Sequence, residues 1–168
     1  YVGIGLGCFV ENTGTAPGRP ESGKVKLRRS GEVLAYCGTA DHGQGHGTTF
    51  AQLLADELGV DYDDVEGREG DTADLRTGVG TFGSRSVAVG ASALTEAART
   101  VREKARRLAA HELEAAPEDL EFEDGAFHVA GAPDRAVSIQ ALAELSHVGE
   151  DLPDDLADGL EAEEFYDP

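Results

Sequence analysis

Apolar residues alternate with small residues at the start of the chain. One side of residues 2–10 carries Val2, Ile4, Leu6, Cys8 and Val10, and most of the positions between them are glycine. A period of two is typical of a β-strand, because successive side chains point to opposite faces. The pattern therefore predicts a strand over residues 2–10.

The next apolar runs predict a hairpin followed by a helix. Residues 24–28 and 32–37 are strand-like, and Ser30 with Gly31 supplies a short turn between them. The apolar spacing then changes to three and four over residues 48–58, which predicts a helix that ends before Gly59. A short strand is expected near Val65.

A long helix is predicted over residues 86–114. Its proposed buried stripe is Val87, Ala91, Leu94, Ala98, Val101, Ala105 and Leu108. The opposite face is rich in arginine, which indicates a solvated surface. A hairpin over residues 119–131, turning at Asp124-Gly125, and a helix over residues 138–145 follow. The order β-β-β-α-β-α-β-β-α predicts a two-layer α+β fold, with a mixed sheet covered by helices on one face.

Charge narrows the class of protein. The chain has 33 acidic and 14 basic residues, a net charge of −19, and residues 150–168 hold nine acids and no base. Nucleic acid is excluded as a partner, because phosphate binding needs a basic surface. We interpret residues 1–149 as a globular domain and residues 150–168 as an acidic linker or extended tail. No apolar run is long enough for a membrane span, and we expect a salt-adapted, cytoplasmic protein.

Two further expectations follow from composition. The chain lacks methionine and begins within an apolar alternation, so we expect it to be a segment of a longer polypeptide. Cys8 and Cys37 lie inside apolar runs, which predicts two buried thiols rather than a disulfide or a metal pair.

Two glycine-rich loops precede the two main predicted helices. The first reads DHGQGHGTT from Asp41, and the second reads GVGTFGSRS from Gly78. Free N–H groups at a helix start attract anions, and glycine lets the backbone approach a phosphate closely. Arg85 adds a planar, permanently charged donor group. The pattern favours an anion site that both loops share.

Ordinary helix capping by serine and threonine is the alternative interpretation for either loop. The sequence contains no GK[ST] phosphate-binding pattern, which disfavours a nucleoside triphosphatase. His42 and His46 are four residues apart, but the glycines around them disfavour a helical metal site. Ser84 has no GxSxG frame, so we assign no nucleophile.

These motifs resemble a known family. HGQGHGTTFAQLLADELGV, then GDT, then GVGTFGSRS with its alanine-rich helix are similar to the large subunit of molybdenum hydroxylases. That group includes xanthine dehydrogenases, aldehyde oxidases and, in particular, aerobic carbon monoxide dehydrogenases. VGIGLGCFVENTGT at the start and LPDDLADGLEAEEFYDP at the end fit the same resemblance.

The resemblance implies what the loops bind. In that family the two motifs hold a molybdopterin dinucleotide with molybdenum, usually in its cytosine form. The implied cofactor-binding residues are Gly43, Gln44, Gly45, Thr81, Phe82, Gly83, Ser84, Arg85 and Ser86. Arg85 would bond the pyrophosphate, or else pair with an acid at the surface, and its loss would leave the fold intact in both cases. Neither His42 nor His46 receives a role, and no protein ligand to the metal is expected.

The resemblance also implies what lies elsewhere. The family's catalytic glutamate belongs to a motif nearer the end of the subunit, and we do not assign Glu150 of HVGED that role. This segment alone should therefore be inactive, with no catalytic residue of its own. FAD and [2Fe-2S] clusters are expected on partner subunits. The alternatives are a non-catalytic dinucleotide-binding domain and an acidic interaction domain whose loops only cap helices.

The acidic composition predicts stabilisation by salt. At low ionic strength the excess negative charges repel one another, and molar salt shortens the screening length to roughly 3 Å. We expect the midpoint of thermal unfolding to rise between dilute buffer and molar KCl, as measured by circular dichroism. A flat or falling midpoint would contradict salt adaptation.

Overall fold

The computed structural model describes residues 1–10, 12–14, 18–148, 152, 156 and 159–168. Seven strands and three helices are defined in this part of the chain. The strands are β1 (Glu21–Leu27), β2 (Val33–Cys37), β3 (Val65–Glu69), β4 (Leu120–Glu123), β5 (Ala126–Val129), β6 (Ala132–Ser138) and β7 (Glu161–Tyr166). The helices are α1 (His46–Leu58), α2 (Ser92–Glu112) and α3 (Ile139–Val148), and a π-helical turn, Ser86–Ala91, leads into α2.

The strands form two sheets. The main sheet has the order β3-β2-β1-β7, in which β1 is antiparallel to β2 and β7, while β2 and β3 are parallel. The second sheet has the order β4-β5-β6 and is antiparallel. The β1–β2 hairpin turns where it was predicted, with the Gly31 N–H donating to the Arg28 carbonyl at 2.8 Å.

The two larger helices cover one face of the main sheet. Val25 and Leu27 of β1 are fully buried against the same core as Leu94, Val101 and Leu108 of α2. The opposite face of the hairpin carries Lys24, Lys26, Leu34 and Tyr36, which lie outside that core. The predicted α+β arrangement, with a mixed sheet and helices on one face, is therefore confirmed.

Close contact between the helix and the sheet depends on a glycine. A Cβ at Gly23 of β1 would lie 2.5 Å from the Leu94 backbone nitrogen, a distance that real Cβ atoms do not reach. The backbones of β1 and α2 therefore touch directly. This contact fixes where the start of α2, and the loop before it, lie relative to the sheet.

The predicted strand over residues 2–10 is wrong. These residues have no regular secondary structure, and Val2, Ile4 and Leu6 are at least 94% exposed. A strand needs a neighbour for its backbone N–H and C=O groups, and no described strand lies beside this segment. The prediction of a buried thiol therefore fails for Cys8, which is exposed, and holds for Cys37.

Other differences concern the helix faces. Val87 was placed in the buried stripe, but it is 62% exposed because the π-helical turn rotates it away from the core. The arginine face of α2 is not simply solvated. Arg102 donates to the Glu57 carbonyl at 2.9 Å, and Arg106 donates to the Leu120 carbonyl at 2.5 Å. These side chains tie α2 to the end of α1 and to β4.

The tail contains a strand that the sequence did not reveal. Residues 161–166 form β7 and pair with β1 from Glu21↔Tyr166 to Lys26↔Glu161. The acids of β7 meet bases across the sheet, and Lys26 Nζ lies 2.9 Å from a Glu161 carboxylate oxygen. The boundary drawn at residues 149 and 150, like Glu150 itself, lies outside the described residues. No described helix is long and apolar enough to cross a membrane.

The two cysteines should differ in their reactivity toward alkylating reagents. Burial raises the pKa of the Cys37 thiol to about 11, although a hydrogen bond from Thr39 acts in the opposite direction. Because the thiolate is the reactive form, Cys37 should resist iodoacetamide at pH 8, while exposed Cys8 should be alkylated. Peptide mass spectrometry of the folded protein measures both sites. Unfolding in urea is the control, since it should equalise the two rates, and rapid labelling of Cys37 in the folded protein would contradict its burial.

Candidate functional site

A cleft lies where the two glycine-rich loops meet. Its volume is about 490 Å³, and its wall is built from side chains of both loops and of the first turns of the helices that follow. The lining residues are His42, Gln44, His46, Thr49, Thr81, Ser84, Ser86 and Val87. The fold therefore brings together two segments that are about forty positions apart in the sequence.

Thr81 joins the two loops. Its hydroxyl donates to the Ala40 carbonyl at 2.8 Å and accepts from the Ala40 N–H at 2.9 Å. The Ser86 hydroxyl lies 3.0 Å from the Thr81 oxygen, and because the single Thr81 hydrogen is already used, Ser86 is the donor. One threonine thus fixes the separation of the loops and orients a serine at the start of the second helix.

The first loop leaves its backbone open toward solvent. Gly43 and Gly45 have φ angles of 99° and 83°, and a Cβ added at either would meet nothing within 4 Å. The Asp41 carboxylate accepts a hydrogen bond from the Gly43 N–H at 2.6 Å, and this bond is the main reason why the pKa of Asp41 lies below its usual range. Gly45 precedes α1, and no side chain caps that helix start.

The second loop is strained at the point where it enters its helix. Gly83 and Ser84 both have positive φ, at 56° and 53°, and Ser84 is exposed. A serine with positive φ costs free energy. Proteins keep such strained residues mainly at functional sites. The π-helical turn that follows also lacks a side-chain cap, so two uncapped helix starts border the cleft. Their free N–H groups make this place suitable for an anion.

Arg85 does not lie where sequence reasoning placed it. Its guanidinium is not at the surface, because the residue is only 1% exposed and pairs with Glu21, which is fully buried. Arg85 also donates to the carbonyls of Gly80, at 2.9 Å, and Arg19, at 2.6 Å. The expectation of a surface partner for Arg85 is therefore wrong, and its Nε remains a buried donor without a partner in the described structure.

Glu21 completes the anchor of the second loop. Its carboxylate accepts from the N–H groups of Val79 at 3.1 Å and Gly80 at 3.2 Å. Gly38 makes room for it, since a Cβ there would lie 2.0 Å from the Glu21 oxygen. Sequence reasoning missed Glu21 because its partner is 64 positions away and no local pattern marks it.

Phe82 lies above this anchor. Its ring is 5.3 Å from the Arg85 guanidinium carbon and 6.0 Å from that of Arg19, and the residue is 40% exposed. These two cation–π contacts hold the ring in place. Phe82 is therefore a fixed apolar surface next to the polar cleft.

Neither histidine was predicted to bind the cofactor or a metal, but His46 has a structural role within the protein. This residue is 2% exposed, and its two ring nitrogens contact Glu69 and Gln44, each at 2.8 Å. The ring also stacks on Phe50, with centroids 4.8 Å apart. His42 is exposed and lines the cleft. Among the described residues, no group of three or more metal-binding side chains is present.

Comparisons with known proteins agree with this geometry. The family described as molybdopterin cofactor-binding domain matches residues 1–168. The carbon monoxide dehydrogenase large chain of Afipia carboxidovorans is 38% identical over 99% of this chain and 22% of its own length. The 6-hydroxypseudooxynicotine dehydrogenase complex subunit gamma of Paenarthrobacter nicotinovorans is 37% identical, over 98% of this chain and 20% of its own.

A solved structure gives the same result. Reconstituted CO dehydrogenase from Oligotropha carboxidovorans superposes with a TM-score of 0.82 at 40% identity, over 88% of this chain and 18% of that one. The chain belongs to the molybdopterin cofactor-binding domain family, and the resemblance to molybdenum hydroxylase large subunits is confirmed. It spans only a small part of the relatives it matches, 22% and 20% of the two curated chains.

The buried pair of Arg85 and Glu21 generates a stability prediction. Removing one partner leaves an uncompensated buried charge, which typically costs about 3–5 kcal/mol. Arg85→Met should therefore lower the free energy of unfolding by about that amount in urea titrations, and adding Glu21→Leu should recover part of the loss. The matched control is Arg99→Met, since the Arg99 side chain is 54% exposed in its pair with Glu96 and should contribute about 1 kcal/mol or less. Wild-type stability for Arg85→Met would contradict the anchor.

Proposed function

We propose that the cleft holds the phosphate-bearing part of a molybdopterin dinucleotide. The observation that carries the proposal is that one cleft receives both glycine-rich loops, two uncapped helix starts and the exposed hydroxyl group of Ser84. These groups are donors suited to phosphate oxygens. The open backbone at Gly43 and Gly45 leaves room for the close approach that such a ligand needs.

Each residue then has a defined contribution. Gly45 and Gly83 offer backbone N–H groups, while Gly43 keeps the first loop open and donates its own N–H to Asp41. Gln44 offers the free lone pair of its amide oxygen, because both amide hydrogens are used within the protein, and Phe82 offers an apolar ring face. Arg85 contributes indirectly, because its guanidinium holds the second loop in place through Glu21 and the Gly80 carbonyl. The net charge of −19 would otherwise repel a pyrophosphate, so local donors must overcome the general field.

The whole protein would be the large subunit of a molybdenum hydroxylase, an oxidoreductase. When bound, the molybdenum centre supplies two-electron redox chemistry, and this chain supplies binding and orientation. We propose the cytosine form of the cofactor, partner subunits that carry FAD and [2Fe-2S] clusters, and a cytoplasmic location in a salt-rich cell. The catalytic glutamate would lie in another part of the subunit, so this segment alone would show no turnover.

Val87 allows a test of the anion site that leaves the fold intact. It is 62% exposed, lines the cleft and lies in the first helical turn, where a carboxylate is compatible with the helix dipole. Val87→Glu should repel a phosphate and lower the retained molybdenum and nucleotide by about tenfold, since two negative charges about 4 Å apart near a protein surface repel each other by roughly 1–4 kcal/mol. Metal analysis and nucleotide release from the full-length subunit measure both.

Val87→Gln is the matched control, because it has the shape of Val87→Glu without the charge. It should lose much less cofactor, and both variants should keep the wild-type melting temperature. Equal retention by the two variants would remove the anion site and favour loops that only cap helices.

A further inference from the structure

His46 borders the cleft, yet its side chain is nearly inaccessible. It is the first residue of α1, is 2% exposed, and stacks on Phe50 one turn later with an interplanar angle of 21°. A polar ring buried to this extent needs partners for both nitrogens. Each nitrogen of His46 has a partner, and the two partners belong to different parts of the fold.

One nitrogen is held by a carboxylate of the neighbouring strand. His46 Nδ1 lies 2.8 Å from Glu69 Oε1, at the end of β3. The same oxygen accepts from the Thr39 hydroxyl at 2.6 Å, just after β2. An ionised carboxylate only accepts hydrogen bonds, so Nδ1 carries the hydrogen and donates it. The other nitrogen, Nε2, faces the NH₂ group of Gln44 and is therefore an acceptor.

The Gln44 amide matches that tautomer. Its Nε2 lies 2.8 Å from His46 Nε2 and donates to it, and the second amide hydrogen goes to the Ala40 carbonyl at 3.2 Å. The amide oxygen accepts from the His42 N–H at 2.5 Å. Flipping the amide would place its oxygen against the Ala40 carbonyl and its NH₂ against the His42 N–H. Only one orientation satisfies all three partners.

We propose that His46, anchored by Glu69, is a positioning residue that holds the Gln44 amide in a single orientation at the cofactor cleft. The proposal rests on the proposed function, because Gln44 matters only if the cleft binds the cofactor. Glu69 sets the tautomer, the tautomer makes Nε2 an acceptor, and the acceptor fixes the amide. His46 itself acts through Gln44 rather than by touching the ligand.

Substitutions in the full-length subunit test this role. His46→Phe keeps a ring on Phe50 but removes both hydrogen bonds, whereas His46→Gln keeps one donor and one acceptor. His46→Phe should weaken cofactor retention by about three- to tenfold, the range of one or two lost hydrogen bonds, and His46→Gln should recover most of it. His128→Phe is the matched control, since it removes a histidine–glutamate contact of 3.2 Å on β5, away from the cleft.

A double-variant comparison separates positioning from general stability. If His46 acts through Gln44, adding His46→Phe to Gln44→Ala should cause no further loss of molybdenum or nucleotide. Independent losses that multiply in the double variant would overturn the proposal. So would unchanged retention in His46→Phe, or a loss in His46→Phe that His46→Gln does not recover and that tracks a fall in melting temperature.

The Val87 and His46 variants together distinguish the proposed cofactor site from the positioning role of His46. Loss of cofactor in Val87→Glu with full retention in His46→Phe would overturn the positioning role alone. Full retention in both variants would overturn the proposed function and the positioning role with it. Loss in both, with recovery in His46→Gln, supports both.

Discussion

The architecture of the site depends on one buried ion pair. Arg85 and Glu21 are 1% and 0% exposed, and the free energy needed to remove two such charges from water is large. It is offset only because the carboxylate also receives the N–H groups of Val79 and Gly80, and the guanidinium reaches two carbonyls. The pair connects the first residue of β1 to the residue that precedes the second helix. The loop between them, from Gly78 to Ser84, therefore follows a path set by the sheet.

The second constraint is the close approach of α2 to the main sheet. Gly23 of β1 allows backbone contact near Leu94, and Gly90 in the π-helical turn faces Thr39 and Cys37, where a Cβ would lie 2.8 Å and 3.0 Å away. Larger side chains would push the helix outward and widen the cleft. The π-helical turn also accounts for the exposure of Val87, since an extra residue in the turn shifts the register of the helix face.

Both loops depend on an acidic side chain that organises a polar segment, Glu21, which is fully buried, and Glu69, which is partly buried. Glu21 receives backbone N–H groups of the second loop, and Glu69 receives His46 and Thr39 next to the first. Thr81 then links the loops through Ala40. The cleft between the loops is lined mainly by polar side chains, and glycine-rich backbone flanks it, which suits a ligand rich in phosphate oxygens.

Local patterns were sufficient for most elements of the fold. The β1–β2 hairpin, the turn at Asp124 and Gly125, the helices and the two glycine-rich loops all follow from periodicity and turn chemistry. The strand over residues 2–10 did not form, because periodicity shows which side chains share a face but supplies no neighbouring strand. β7 was missed for the opposite reason. Its acidic residues are typical of a solvated linker, but in the fold they lie beside the lysines of β1.

The sequence by itself determined where donors and glycines cluster, and therefore which loops we propose as the cofactor site. Only the tertiary structure decided what each charged residue does. Arg85 and Glu21, 64 positions apart, are joined inside the protein, and His46 and Glu69 meet between a helix start and a strand end. A single sequence records composition and spacing along the chain. Burial and pairing between distant residues arise from the packing of α1 and α2 on the sheet, which no local pattern encodes.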